Sequence, residues 1–135
     1  EYLELMMTLP GDWQLDFNDE KWFWPIRVLK SLARFPHQYK THLGYGHTMQ
    51  NGNYESYTSN TSLCGSILVP IFGEDNETRR LKVNKDKTIH FYSVLPLYKD
   101  EVEYALRNGS QNFFNKLIEN EFSLEVDIKR DKYKL

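Results

Sequence analysis

Four histidines, one cysteine and two acidic clusters are the residues of this 135-residue chain that could carry chemistry. His37 and His42 lie five apart, which is not the i, i+4 spacing that puts two imidazoles on one helical face. No His-Glu-x-x-His pattern occurs, and Cys64 has no second cysteine to complete a zinc ligand set, so neither a metal nor a cofactor is expected. Gly44-x-Gly46 is too short for a dinucleotide loop, and no Walker-type sequence is present. Cys64 sits in an apolar run and reads as a small buried hydrophobe rather than a nucleophile.

The histidine with the most unusual setting is His47, in Gly44-Tyr45-Gly46-His47-Thr48. Two glycines let the backbone approach a neighbour closely, leaving the imidazole free to hydrogen-bond it. No nucleophile or paired acid accompanies it, so a structural histidine is expected here rather than a catalytic one. The acidic groups Asp16, Asp19, Glu20 and Glu74, Asp75, Glu77 read as solvated loops, with contact to a basic partner as the sharper alternative. Trp13, Trp22 and Trp24 lie close together; at least one should be core, and an exposed one would be a binding hot spot.

Whole-chain properties narrow the class further. The length supports one domain, and 40% hydrophobic with 27% charged residues is ordinary for a globular protein. A net charge of −2 is the wrong sign for a general nucleic-acid binder. Aromatic residues make up 15% of the chain, which leans toward a binding surface because Tyr and Trp tolerate one wet edge. One cysteine cannot form an internal disulfide, which fits a reducing, cytoplasmic setting. Apolar runs such as Ile67–Phe72 are too short to span a bilayer, and no membrane association is expected.

The elements that would position these residues can be placed by pattern. Tyr2–Leu9 reads as a buried strand stopped by Pro10-Gly11. Asp12–Lys21 reads as a loop. Pro25 fits the first turn of a helix whose apolar face is Ile26, Leu29, Leu32 and Ala33. Pro36 should interrupt that helix near Phe35, leaving one further turn through Tyr39. Asn51-Gly52-Asn53 marks a turn and Tyr54–Ser62 a surface loop. Leu63–Phe72 is strand-like, Gly73–Arg79 a charged loop, and Leu81–Val83 with Thr88–Leu97 a hairpin closed through Asn84–Lys87. Asp100 with Glu103 is placed to cap a helix that ends at Asn108-Gly109, and Ser110 to cap a second with the face Phe113, Phe114, Leu117, Ile118. Phe122–Ile128 reads as a final strand. Helices set between groups of strands indicate an α+β fold, a mixed or antiparallel sheet packed against helices.

Several blocks, in order, resemble the Suppressor of fused-like domain family in its bacterial form. The strand and corner Leu3–Trp13, the helix Trp24–His37, the loop Gly44–Thr48, then Asn60–Cys64 and Phe91–Glu101 carry the resemblance, which covers most of the chain. It implies an α+β domain that binds a protein and is not an enzyme. In animals similar domains hold transcription factors of the Hedgehog pathway, partly by adding a peptide strand. The tyrosine and aspartate that help there fall at Phe35, which lacks the hydroxyl, and Gly46, which lacks the carboxylate, so the animal-type contact is not implied. Bacterial members are regarded as immunity proteins that neutralise polymorphic toxins, and a stoichiometric toxin binder is the leading expectation. A regulatory scaffold that captures an extended peptide comes second, and an enzyme using His47 third. The residues expected to bind are Trp13, Phe35, Tyr45, Gly46 and His47. The family domain begins before Tyr2, so residues 1–135 are expected to be a single domain lacking its N-terminal strand or strands. That would leave an open sheet edge able to pair with another chain, including a second copy.

Overall fold

The computed structural model describes residues 2–38, 43–70 and 80–135. Five strands form one mixed sheet: β1 (Tyr2–Met6), β2 (Thr48–Gln50), β3 (Gly65–Pro70), β4 (Arg80–Asn84) and β5 (Lys87–Leu97). Among the described residues the helices are α1 (Glu20–Gln38), α2 (Lys99–Asn108) and α3 (Ser110–Glu119). The main path runs β1-β5-β3-β2, with β1 parallel to β5 and the other pairs antiparallel. β1 takes Ile89–Ser93 along one edge of β5. On its other edge β5 pairs with β4 near His90 and with β3 from Tyr92 to Leu97, so β4 and β3 lie end to end. The α+β expectation holds.

Side-chain alternation builds a core on each face of this sheet. Leu68 and Val94, opposite each other in register, point toward α1, where they join Trp24, Val28 and Leu32. Ile67, Val69, Leu95 and Leu97 point the other way and pack on Val102, Ala105, Phe113, Phe114 and Leu117 of α2 and α3. The continuous apolar run in β3 is what a central strand covered on both faces requires.

Helix α1 departs from expectation at its start. It begins at Glu20, because Asp19 acts as the N-cap: its carboxylate accepts the Lys21 N–H at 3.0 Å and its carbonyl accepts from Trp22 and Phe23. Pro25 therefore sits in the second turn and costs one intrahelical bond, to the carbonyl of exposed Lys21. The buried stripe is Trp24, Pro25, Val28 and Leu32, with Ala33 exposed, so the face is rotated from the one expected. Trp24 fixes that rotation; fully buried, it stacks on Tyr57 with ring centroids 5.1 Å apart. Pro36 does not interrupt the helix, which runs on to Gln38. Tyr39 lies outside the described residues, as do Ile71 and Phe72 at the end of the expected strand and the Gly73–Arg79 loop.

Three further expectations change. Helix α2 starts two residues earlier, with Tyr98 as N-cap and Glu101, not Glu103, as the carboxylate that reaches back; Glu101 accepts the Tyr98 N–H at 2.8 Å. Ser110 is the first residue of α3 and makes no capping bond, while Ile118 faces solvent. Phe122–Ile128 alternates in burial like a strand but has one bridge, Thr8 to Glu125, with Val126 N–H donating to the Thr8 carbonyl at 2.8 Å. The expected hairpin is present: Asn84 and Lys87 pair across Lys85-Asp86, and Asn84 Oδ1 accepts the Asp86 N–H.

Candidate functional site

The turn Gly44–His47 is built by its glycine at position 46. His47 N–H donates to the Gly44 carbonyl at 3.2 Å, and Gly46 has φ +78°. A four-residue turn with positive φ at its third position favours glycine. Gly46 N–H then donates to the Leu68 carbonyl and Leu68 N–H to the His47 carbonyl, both at 2.9 Å. Two residues thus oppose one, the bulge that a glycine in the left-handed region produces at the start of a strand. A Cβ on Gly46 would also stand 2.6 Å from Ser110 Oγ and 2.8 Å from Ser110 Cβ. The turn is pressed against the start of α3.

His47 is half-buried, and its Nδ1 accepts the Gly44 N–H at 3.2 Å. The imidazole satisfies the backbone of its own turn, as its sequence setting suggested. Tyr45 projects outward, 49% exposed, with its ring edge-on to Phe114 at 4.9 Å. Tyr45, Gly46 and His47 therefore form one feature. It leads directly into β2, one of the two end strands of the main path β1-β5-β3-β2.

The edge of β2 away from β3 is unpaired among the described residues. In an antiparallel ladder, residues alternate between bonding the partner and facing away from it. The bonds at His47/Leu68 and Asn51/Cys64 set the phase, and they leave the backbone groups of Thr48 and Gln50 directed outward. A third glycine permits this corner. At Gly65 a Cβ would fall 2.4 Å from Val102 Cγ2 and 2.9 Å from the Met49 carbonyl, so α2 crosses the β2–β3 pair closely.

Trp13 and Phe35 lie elsewhere. Trp13 packs edge-on against Trp22 at 5.2 Å and Trp24 at 6.2 Å, and its indole N–H donates to the Trp22 carbonyl at 2.9 Å. Phe35 is thirteen residues further along α1, about 20 Å at 1.5 Å per residue, and is half-buried against the α1 core. Leu15 and Phe17, which follow Trp13 in the loop before α1, are exposed apolar groups, and the Phe17 ring lies edge-on to Phe23 at 5.8 Å. The nearby acids have local partners: Asp16 accepts the Asn18 N–H, Asp19 caps α1, and Glu20 pairs with Arg27 at 2.8 Å. His42, Glu74, Asp75 and Glu77 lie outside the described residues. No group of three potential metal ligands occurs among the described residues. No described helix is long and apolar enough to cross a membrane.

The family model for Suppressor of fused protein matches residues 1–131. The chain belongs to the Suppressor of fused family. Among solved structures, the Suppressor of fused homologue from Neisseria gonorrhoeae superposes with a TM-score of 0.69 at 17% identity, over 96% of this chain and 62% of that one. A chain of the Sufu–Fu complex gives 0.60 at 16% identity, over 80% of this chain and 45% of the other. Drosophila Suppressor of fused gives 0.57 at 20% identity, over 70% and 20%. In sequence, an uncharacterized Ureaplasma parvum protein is 26% identical over 133 residues, 98% of this chain and 63% of that protein. The chain thus spans less than two thirds of these relatives. The structural likenesses bear out the shared α+β fold.

Proposed function

We propose that this Suppressor of fused domain acts by binding another protein, without catalysis, and that an extended segment of the partner pairs with the outer edge of β2. The observation that carries the reading is the continuity of the exposed Tyr45 with an end strand whose outer edge is unpaired among the described residues and whose Thr48 and Gln50 backbone groups face outward. Main-chain pairing would supply affinity and Tyr45 a side-chain anchor. Gly46 and His47 shape the turn. Phe35 and Trp13 pack against the α1 core, while Leu15 and Phe17 stand exposed ahead of α1. Sufu in its complex with Fu is a relative seen with a protein partner.

Within that reading the partner is a toxin and the domain a cytoplasmic immunity protein that blocks it stoichiometrically. The Neisseria and Ureaplasma relatives support a bacterial setting. Regulatory capture of a peptide would use the same strand edge, and pairing of two copies through an open edge is the self-association it permits. Co-expression of the full protein with the product of a neighbouring toxin gene tests the toxin reading. Restored growth and a one-to-one complex are expected; absence of both contradicts it.

A further inference from the structure

The β4–β5 hairpin has a composition unlike the rest of the chain. Between Arg80 and Lys87 stand four cations, Arg80, Lys82, Lys85 and Lys87, against the single carboxylate of Asp86, in a chain of net charge −2. None of the four has an ion-pair partner among the described residues; Lys87 alone is engaged, lying 4.6 Å from the Tyr2 ring centroid. Every residue of β4 is exposed, including Leu81 at 52% and Val83 at 51%. β4 pairs only with β5, so its other edge is open among the described residues.

Register determines how these groups are arranged. Arg80 and Lys82 stand opposite His90 and Thr88, on the face that continues toward α1. Leu81 stands opposite Ile89 on the other face, beyond the part of the sheet that α2 and α3 cover. The strand therefore offers cations on one side, an aliphatic residue on the other, and unpaired backbone between them. An added strand fits all three when it alternates acidic with aliphatic residues, because directly opposite side chains of opposite charge, or both apolar, attract across a strand pair.

We infer that the outer edge of β4 is a docking site for an acidic, leucine-bearing polypeptide strand of a partner protein. The exposed aliphatic groups favour polypeptide over nucleic acid, and so does the net negative charge of the remainder of the chain. The site lies near the Lys87 end of β5, whereas β2 lies across β3 from the Leu97 end. It does not rest on the β2 reading.

Fluorescence anisotropy of the full chain with three labelled probes tests this: a peptide alternating Glu and Leu, its Lys and Leu counterpart, and a single-stranded oligodeoxynucleotide. The Glu/Leu peptide should bind at least about tenfold more tightly than the other two. Its binding should weaken as salt shortens the Debye length from about 10 Å to about 3 Å. The exposed double substitution Lys82→Glu, Lys85→Glu should abolish it while leaving the circular dichroism spectrum unchanged. Equal binding of the Lys/Leu peptide, tighter binding of the oligonucleotide, or unchanged affinity in the folded double variant would each overturn the inference.

Discussion

At the residue scale, two positions carry more than their share of the structure. Glu101, fully buried, receives Arg130 Nη1 at 2.9 Å and Nη2 at 2.5 Å, and also the N–H groups of Tyr98 and Tyr133. Arg130 is only 14% exposed and lies over the rings of Tyr98 and Tyr133, at 4.7 and 4.0 Å. Removing the guanidinium leaves a buried carboxylate without its counter-charge, so Arg130→Ala should cost about 3–5 kcal/mol. Urea denaturation checks this, and a loss below about 1 kcal/mol would mean that the pair is not buried as described. Gly46 is the second site. Gly46→Ala meets both the positive φ and Ser110, and should destabilise by roughly 1–3 kcal/mol. Adding Ser110→Gly removes the clash but not the φ penalty, so a double-mutant cycle should show partial rescue. Strict additivity would show that Ser110 plays no part.

At the element scale, the ends of elements follow local rules closely. Helix α3 closes with Glu121 at φ +50°, its N–H donating to the Ile118 carbonyl, while Phe122 N–H reaches back to Leu117. This is a Schellman closure with a glutamate where glycine is favoured. Glu121→Gly should therefore raise stability by about 1 kcal/mol in thermal or urea melts, since the left-handed conformation penalises a Cβ. A decrease would show that the Glu121 side chain matters more than its backbone strain.

The same scale separates what was legible in the sequence from what was not. The β4–β5 hairpin, the long β3 run and the α2–α3 break at Gly109 were readable because turn residues and apolar runs act locally. β2 was not, because three residues carry no period and Thr48–Gln50 become a strand only by pairing with β3. Phe122–Ile128 failed the other way: its alternation is real, but single bonds, from Val126 N–H to the Thr8 carbonyl and from the Thr61 hydroxyl to the Ile128 carbonyl, hold the segment instead of a ladder. The start of α1 was misplaced because Pro25 is a strong first-turn signal; the Asp19 cap and the burial of Trp24 outweigh one lost hydrogen bond. Of the candidate site, the cluster Tyr45–Gly46–His47 was visible as a glycine-rich turn. Its position beside an open strand edge was not.

At the scale of the whole molecule, three tyrosines and the cysteine respond to burial in one direction. Burial pushes the Tyr57, Tyr98 and Tyr133 hydroxyls and the Cys64 thiol above their ordinary values, with Arg130 opposing the rise at Tyr98 and Tyr133. Each is neutral when protonated and holds its proton more tightly when folded. Their contribution is complete below the unfolded values, about 8.5 for Cys and about 10 for Tyr, and is lost as pH climbs past these toward the folded ones. Urea midpoints should hold near neutrality and fall progressively above about pH 9. A midpoint that rises there would contradict the burial of these groups.

The claim that the protein works by pairing a partner strand with β2 is tested most directly by amide hydrogen exchange on the free protein and on its complex with a partner recovered by co-expression. Binding should slow exchange at Thr48 and Gln50 by at least about tenfold, about 1.4 kcal/mol of added protection. A complex that forms while both amides exchange at their free-protein rates would contradict it.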